Sequence, residues 1–240
     1  MDVLILRFDA PLMAFGGVAV DQINVTDRFP SPSMLAGLFG NALGYEHKEF
    51  DKLQRLQERI EFSARWDVEP ERIVDYHTVN LAQEKMVYDG WTTRGKPEHR
   101  AGGSASEGTH IRLRHYLANG VMTVAVTLTG DDAPSTAQLG AAIQQPARPL
   151  FIGRKTCLPS TPMAGFDSLV KADNTLSALK SVSRHPRAKP KNKMSACWPV
   201  SSGALDNAEV RPVYGLRDWS NQIHAGRTER VEGLIEVEAP

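Results

Sequence analysis

Apolar residues in the first third of the chain fall into short runs that alternate with polar turns. Residues 3–8 form an apolar run typical of a strand. Ser31 and Ser33 precede a segment with helical spacing of apolar residues, and Gly44 follows it, so we predict a capped helix that ends at Gly44. The apolar positions of this helix are Leu35, Leu38, Phe39 and Leu43.

The pattern beyond this helix predicts further elements. We expect a short helix at 49–59 and an alternating, half-buried strand at 60–66. Residues 111–118 and 121–128 flank Asn119-Gly120, which predicts a hairpin with a type I′ turn. A helix at 134–145 and a short strand at 149–152 follow, and a C-terminal strand pair is expected to end near 232–238.

Together these elements predict an α+β protein with a ferredoxin-like core of the kind found in RRM domains. Residues 82–110 are rich in glycine and lack a periodic pattern, so we interpret them as an inserted arm. We expect a body at 1–165 that includes this insertion. Residues 166–240 are expected to form a basic linker and a small β-rich C-terminal region.

The 240 residues suffice for a full hydrophobic core, and 41% hydrophobic and 23% charged residues are ordinary for a folded soluble protein. The N-terminus has no features of a secretory signal, and no apolar run is long enough to span a membrane. Cys157 and Cys197 lack the spacing of a disulfide framework or a zinc site. A reducing cytoplasm fits these features best.

The formal net charge is zero, but the charges are unevenly distributed. Residues 1–146 have a net charge of −5, residues 147–193 of +8, and residues 194–240 of −3. Five of the basic residues lie within 184–193, which has no acidic residue. Such a concentration of positive charge suits a polyanion, although a solvated surface loop would show the same pattern.

Two short segments have the residue types of phosphate-binding sites. Arg28, Ser31 and Ser33 lie just before the first predicted helix, where amides, hydroxyls and the helix dipole attract anions. Gly153, Arg154 and Lys155 follow the predicted strand at 149–152, with a glycine that permits close approach and two cations. Helix capping by the serines and a solvated strand end are the structural alternatives.

Other candidates are weaker. His77 lies between polar and aromatic neighbours, where a histidine is usually structural. Met86, Tyr88 and Trp91 in the arm are suited to contact unpaired bases, or equally to pack against another protein. We find none of the Walker A, GxGxxG, HExxH or GxSxG motifs, so no catalytic motif stands out.

Several of these strings, in this order, resemble the CasD family (the fifth Cas family) in its type I-E Cascade form. The resemblance covers about residues 3–165, and the arm at 80–110 and the chain after 165 depart from it. The matching strings are Leu4-Ile5-Leu6-Arg7, Ala10-Pro11-Leu12-Met13-Ala14-Phe15-Gly16, Arg28-Phe29-Pro30 with Gly44, Asp75-Tyr76-His77-Thr78-Val79, Arg114-His115-Tyr116-Leu117, and Gly153-Arg154-Lys155-Thr156-Cys157 with Pro159 and Pro162.

The resemblance implies an RRM-like body with a β-hairpin thumb at about 78–118, and a subunit that caps the 5′ handle of the crRNA. It implies contacts with the Cascade backbone subunit and the large PAM-reading subunit, with target DNA met only through the complex. No cofactor, metal or membrane is implied. The handle-binding residues that it implies are Arg28, Ser31, Ser33, His77, Arg114, Gly153, Arg154 and Lys155.

The type I-E form implies that the chain is not an enzyme. The rival within the family is the type I-C form, a metal-independent endoribonuclease that processes precursor crRNA. In that case His77, Tyr45 or Tyr76, and Lys155 are the candidates for deprotonating a ribose 2′-hydroxyl. An unrelated ferredoxin-like interaction domain is a more remote alternative, and it leaves the basic block unexplained.

Overall fold

A computed structural model describes residues 1–18, 22–80, 90–91, 97–98, 109–190 and 193–237. The helices are α1 (Pro32–Ala42), α2 (Phe50–Arg59), α3 (Thr136–Gln144) and α4 (Thr175–Ser181). The strands are β1 (Asp2–Asp9), β2 (Leu12–Met13), β3 (Ile23–Asn24), β4 (Ile60–Val68), β5 (Glu71–Asn80), β6 (Gly90–Trp91), β7 (Pro97–Glu98), β8 (Thr109–Ala118), β9 (Val121–Leu128), β10 (Leu169–Lys171), β11 (Lys193–Pro199), β12 (Glu209–Val213), β13 (Arg217–Asp218), β14 (Ile223–His224) and β15 (Thr228–Glu236).

The helices begin and end close to the predicted positions. Ser31 caps α1, with Pro32 in the first turn and Gly44 just beyond the last turn at a φ of +79°. A capping box at Ser135 begins α3, because its hydroxyl accepts from the Gln138 amide and the Gln138 side chain accepts from the Ser135 amide. The predictions of α1, α2 and α3 are therefore confirmed.

A seven-stranded sheet with the order β10-β1-β9-β4-β11-β15-β12 forms the centre of the protein. Every neighbouring pair in it is antiparallel. All eight residues of β9 are buried, so this strand is covered on both faces. The strands on either side of residue 165 lie in this one sheet, because β10 pairs with β1 and β11 pairs with β4.

Strand alternation divides the core between the two faces of the sheet. Leu4, Leu6 and Phe8 of β1 pack on one face among the residues of α1 and α3. Val3 and Ile5 point to the other face, where α4 and the C-terminal strands cover them. The two helices that connect consecutive central strands therefore share one face, and α4 closes the other.

The predicted Asn119-Gly120 hairpin is wrong. β8 pairs with β5, with β2 and with β3, while β9 pairs with β1 and β4. Asn119 adopts the expected left-handed backbone, with a φ of 59°. Gly120 is required for space instead, because an added Cβ would lie 2.7 Å from the Trp66 ring and 2.9 Å from Pro70. The dipeptide leads the chain from the sheet that contains β8 into the sheet that contains β9. β8 then pairs with β5, and β9 pairs with β1 and β4.

The strand predicted at 149–152 is also absent, since these residues form a turn-rich segment. The amide of Ile152 donates to the Cys157 carbonyl at 2.8 Å, which closes a tight turn instead of a ladder. The position beside β1 is occupied by β10, at 169–171. The C-terminal strand pair is confirmed, as β11 and β15 pair over seven residues with β15 ending at Glu236.

Buried charges join the central strands to the chain that follows α4. Asp67 and Arg65 of β4 are both fully buried, and Arg65 Nε donates to Asp67 Oδ1 at 2.7 Å. Arg7 of β1 and Thr123 of β9 also donate to Asp67. The amide of His185 donates to the same carboxylate at 3.0 Å, so the beginning of the basic segment is held against the sheet.

Replacement of Asp67 by Ala should strongly destabilise the protein. Two guanidiniums would remain next to each other without their shared carboxylate, and removing one member of a buried charge network costs about 3–5 kcal/mol. Urea denaturation measures the change in free energy of unfolding. Glu46→Ala is the control, because its exposed pair with Lys48 should leave the midpoint unchanged. Equal midpoints for both variants would contradict this prediction.

Candidate functional site

A cleft of about 780 Å³ lies where four parts of the chain meet. These are the loop at 14–18 and 25–27, one face of α1 along its whole length with Tyr45 beyond it, the turn at 151–155 with Arg148, and the C-terminal segment at 212–219 with His224. Of the eight predicted handle-binding residues, five line the cleft. They are Ser31, Ser33, Gly153, Arg154 and Lys155.

The start of α1 reaches the cleft, but its amides are already used. The Ser31 hydroxyl accepts from the Met34 amide at 3.2 Å, which makes Ser31 the helix cap. The Ser33 amide donates to the Gly215 carbonyl at 3.3 Å, and Pro32 has no N–H. Free amides were expected at this position from the sequence. The helix start instead presents the dipole and the two serine hydroxyls, which lie 3.2 Å apart.

Gly153 allows two backbone segments to cross at the floor of the cleft. Its φ is +92°, and an added Cβ would lie 1.5 Å from the Ala14 carbonyl oxygen. Ala14 in turn donates its amide to the Ile152 carbonyl at 3.2 Å. Close backbone approach was the role expected of this glycine, although its partner is the protein's own chain.

Arg154 connects the turn at 151–155 to β8 and β3. Its guanidinium donates to the carbonyls of His115 and Asn24, at 2.8 and 2.9 Å, and stacks 4.7 Å from the Tyr116 ring centroid. Two of its terminal nitrogens are thus engaged in structural contacts. Lys155 beside it is exposed, so its ammonium group remains accessible from the cleft.

The cleft also contains residues that the sequence analysis did not single out. Arg148 donates to Asn41 Oδ1 at 2.8 Å and to the Tyr45 carbonyl, which holds it over the end of α1. Tyr214 and Arg217 belong to the C-terminal wall. The basic stretch at 147–193 was a signal for Arg148, whereas the acidic C-terminal region offered no signal for Arg217.

The charges that line the cleft are unbalanced. Its cations are Arg148, Arg154, Lys155 and Arg217. Asp27 is the carboxylate in the lining, and it pairs with Arg230 at 3.1 Å. Within the described ranges, none of the four cations forms an ion pair with a carboxylate. A concave surface with uncompensated positive charge attracts anions.

The other three predicted residues lie outside the lining of the cleft. Arg28 donates to both carboxylate oxygens of Glu69 at 3.1 Å and to the Ser195 hydroxyl at 2.7 Å. His77 is on β5, where its Nε2 lies 2.5 Å from Asp75 Oδ2 without the angle of a hydrogen bond. Arg114 is on β8, paired in register with Asp75.

β5 and β8, the strands on either side of the predicted arm, pair with each other over ten residues. Several apolar residues within β5 are exposed to solvent. Among them, Val74 is 54% exposed and Tyr76 is 60% exposed. Trp91 lies in β6, where its backbone is paired with Pro97 of β7. Met86 and Tyr88 lie outside the described residues.

The described residues contain neither a membrane-spanning helix nor a cluster of metal-binding side chains. No helix in these ranges is long and apolar enough to cross a membrane. Across the same part of the chain, no three His, Cys, Asp or Glu side chains come together in a way that would hold a metal ion.

A family model and one relative of known sequence point to the same family. A family model described as CRISPR-associated protein Cas5 matches residues 3–231. The Cascade subunit CasD of Escherichia coli (strain K12) is 31% identical over 168 residues, which are 67% of this chain and 68% of that protein.

Two solved structures are similar in fold. A chain of a CRISPR RNA-guided surveillance complex gives a TM-score of 0.66 at 23% identity, covering 99% of this chain and 91% of that one. A crystal structure of a Cas protein gives 0.65 at 23% identity, covering 98% and 95%.

Gly153→Ala should deform the floor of the cleft. The positive φ alone costs about 1–2 kcal/mol for a residue with a Cβ, and displacing Ala14 adds about 1–3 kcal/mol of steric strain. Gly16→Ala is the matched control, because Gly16 has a φ of +82° and open space around its Cβ position. Urea denaturation should show the larger loss for Gly153→Ala. Equal losses would mean that the close approach to Ala14 is unimportant.

Proposed function

The chain belongs to the Cas5 family of CRISPR-associated proteins, and we propose that it caps the 5′ handle of the crRNA in a type I, Cascade-like surveillance complex. The E. coli relative is by name a Cascade subunit. The resemblance of the local strings to the type I-E form supports the same role here.

The observation that carries this proposal is the cleft with its uncompensated cations. A single RNA strand presents a phosphate at every nucleotide and unstacked bases between them, so it needs both cations and aromatic surfaces. Phe151, Tyr45 and Tyr214 lie in the same lining as the four cations. A cleft with both groups matches the chemistry of a single-stranded handle.

The fold supports the proposal in a second way. The central strands β10-β1-β9-β4 have the order 4-1-3-2 when they are counted along the chain, with α1 after the first and α3 after the third. We take this unit as the ferredoxin-like, RRM-type core and the β5–β8 hairpin as the thumb. The core in this proposal includes β10, so it extends beyond the body expected at 1–165.

The partners follow from the same proposal. The exposed apolar residues of β5, among them Val74 and Tyr76, suit a protein surface and not water. We assign this face of the thumb to the Cascade backbone subunit. The large PAM-reading subunit is proposed to pack nearby, and target DNA is met only through the complex, in the cytoplasm. No cofactor is required for binding.

We further propose that the chain binds without cutting. Metal-free cleavage needs a base at the 2′-hydroxyl and a cation at the phosphate. Tyr45 and Lys155 line the cleft, but His77 and Tyr76 lie on β5, outside that lining. The type I-C arrangement of these residue types is therefore the alternative that an experiment must exclude.

Purified protein incubated in EDTA with precursor crRNA should bind the RNA and leave it intact. Denaturing gel electrophoresis measures cleavage, and a filter assay of the same samples measures binding. The RNA sequence is read from the RNA that co-purifies with the tagged chain from its native host. Specific cleavage at the handle boundary that is abolished by His77→Ala would make the chain the processing enzyme.

Lys155→Gln should weaken handle binding and reduce its dependence on salt. For a single strand, each lost phosphate contact lowers the slope of log K against log salt by about 0.7 in magnitude. Titrations by fluorescence anisotropy at several KCl concentrations measure this slope. Lys171→Gln, on β10 and paired with Asp2, is the control that should keep the wild-type slope. The same slope for all three proteins would rule out phosphate contact by Lys155.

A further inference from the structure

The C-terminal wall of the cleft contains a small hairpin that is fixed to the helices by one tryptophan. Trp219, between β13 and β14, is 6% exposed and packs with Ala36 of α1 and Leu53 of α2. Its indole Nε1 lies 3.3 Å from Gln57 Oε1, within hydrogen-bond distance. Strands of two residues are not stable alone, so this contact determines where the hairpin sits.

The same glutamine positions Arg217. The Arg217 amide donates to Gln57 Oε1 at 3.1 Å, and its carbonyl accepts from Gln57 Nε2 at 3.0 Å. The guanidinium stacks 5.2 Å from the Trp219 ring centroid and donates to Gln222 Oε1 at 2.8 Å. Its backbone and side chain are therefore held before any ligand arrives.

Within the described ranges Arg217 has no carboxylate partner, whereas Arg230 has two. Its Nε is buried and has no hydrogen-bond partner among the described residues. Burial lowers the pKa of the guanidinium, with no carboxylate raising it. Arg230, which is also buried, is bound by Asp27 and Glu232. A partly desolvated cation without an anion is costly, unless an anion arrives with a ligand.

The position of Arg217 indicates which anion this is. It lines the 780 Å³ cleft and also a second cavity of about 400 Å³ beside α2, so it lies at the junction of the two. In the cleft it shares the lining with Lys155, Arg148 and Tyr214, a residue that is 56% exposed. Several cations beside an exposed aromatic ring suit a chain of phosphates and bases better than one carboxylate from a protein.

We propose that Arg217 binds a phosphodiester of the RNA, and that the hairpin at 217–224 forms a second wall of the RNA site with Tyr214 as a stacking surface for a base. This inference rests on the proposed function and deepens it. It gives the C-terminal region a direct part in binding RNA.

The test compares Arg217→Gln with Arg227→Gln, an exposed arginine of the same region that pairs with Glu229 at 3.6 Å. The probe is a fluorescent synthetic RNA with the 5′ sequence recovered from the native complex. Arg217→Gln should lower the magnitude of the salt slope by about 0.7, and Arg227→Gln should keep the wild-type slope. Arg217→Lys should restore the slope, since it keeps the charge.

Thermal unfolding of the RNA-free protein separates binding from structure. Arg217→Gln should leave the melting temperature nearly unchanged, because removing a partly desolvated cation with no carboxylate partner in the described chain offsets the loss of the Trp219 stack and the Gln222 hydrogen bond. An independent measurement on the unmodified protein is the NMR signal of the Arg217 Nε–H, assigned from its loss in Arg217→Lys. This signal should move when the RNA is added, and it remains informative even when the Gln variant does not fold.

The outcomes distinguish this inference from the proposed function. A wild-type salt slope in folded Arg217→Gln, or an Nε–H signal that does not move when RNA is added, overturns the role of Arg217. Neither outcome contradicts handle binding by the chain. A wild-type slope with loss of assembly into the complex would assign Arg217 to a protein carboxylate instead. Absence of RNA binding by the wild-type chain overturns both.

Discussion

The carboxylate of Asp67 receives hydrogen bonds from parts of the chain that are far apart in sequence. Arg7 of β1, Thr123 of β9 and the amide of His185 all donate to it, as does Arg65 beside it on β4. One buried charge thereby connects three adjacent central strands to the segment after α4. Buried ion pairs add little net stability, but they raise the free energy of other strand arrangements, because each guanidinium would then be buried without a carboxylate.

Arginines in this protein serve two distinct purposes, and burial alone does not separate them. Arg65 and Arg230 are buried with carboxylate partners, so they are part of the framework. Arg154 is framework as well, although its partners are carbonyls and the ring of Tyr116. Lys155 and Arg217 have positive charge with no carboxylate partner in the described chain, and the proposed partner of both is a polyanion.

Sequence reasoning located the elements with strong local signals. The caps of α1 and α3 depend on residues within one turn, so Ser31 and Ser135 mark them correctly. The prediction of a hairpin at Asn119-Gly120 was wrong because strand pairing depends on the whole chain. Gly120 is needed because Trp66 and Pro70 leave no space for a side chain, and not because of a hairpin turn. The β10 edge strand was missed because three residues with little burial leave almost no pattern.

The site shows the same division between local and distant information. Five of the eight predicted residues meet in the cleft, because the segments at 31–33 and 153–155 both contribute to its lining, where Gly153 packs against Ala14. Arg154 was predicted as a phosphate ligand, but its structural partners Asn24 and His115 are far away in sequence and gave no warning.

The C-terminal region shows why net charge misleads about such a site. Residues 194–240 are acidic overall, yet Glu232 forms an ion pair with Arg230. Asp218 accepts hydrogen bonds from Asn221 and Ser220 in its own turn, and these lower its pKa to about 2. Both carboxylates are bound by neighbouring groups, and in the described chain neither forms an ion pair with Arg217. A region with a net negative charge can therefore still contribute a cation to the wall that the RNA is proposed to contact.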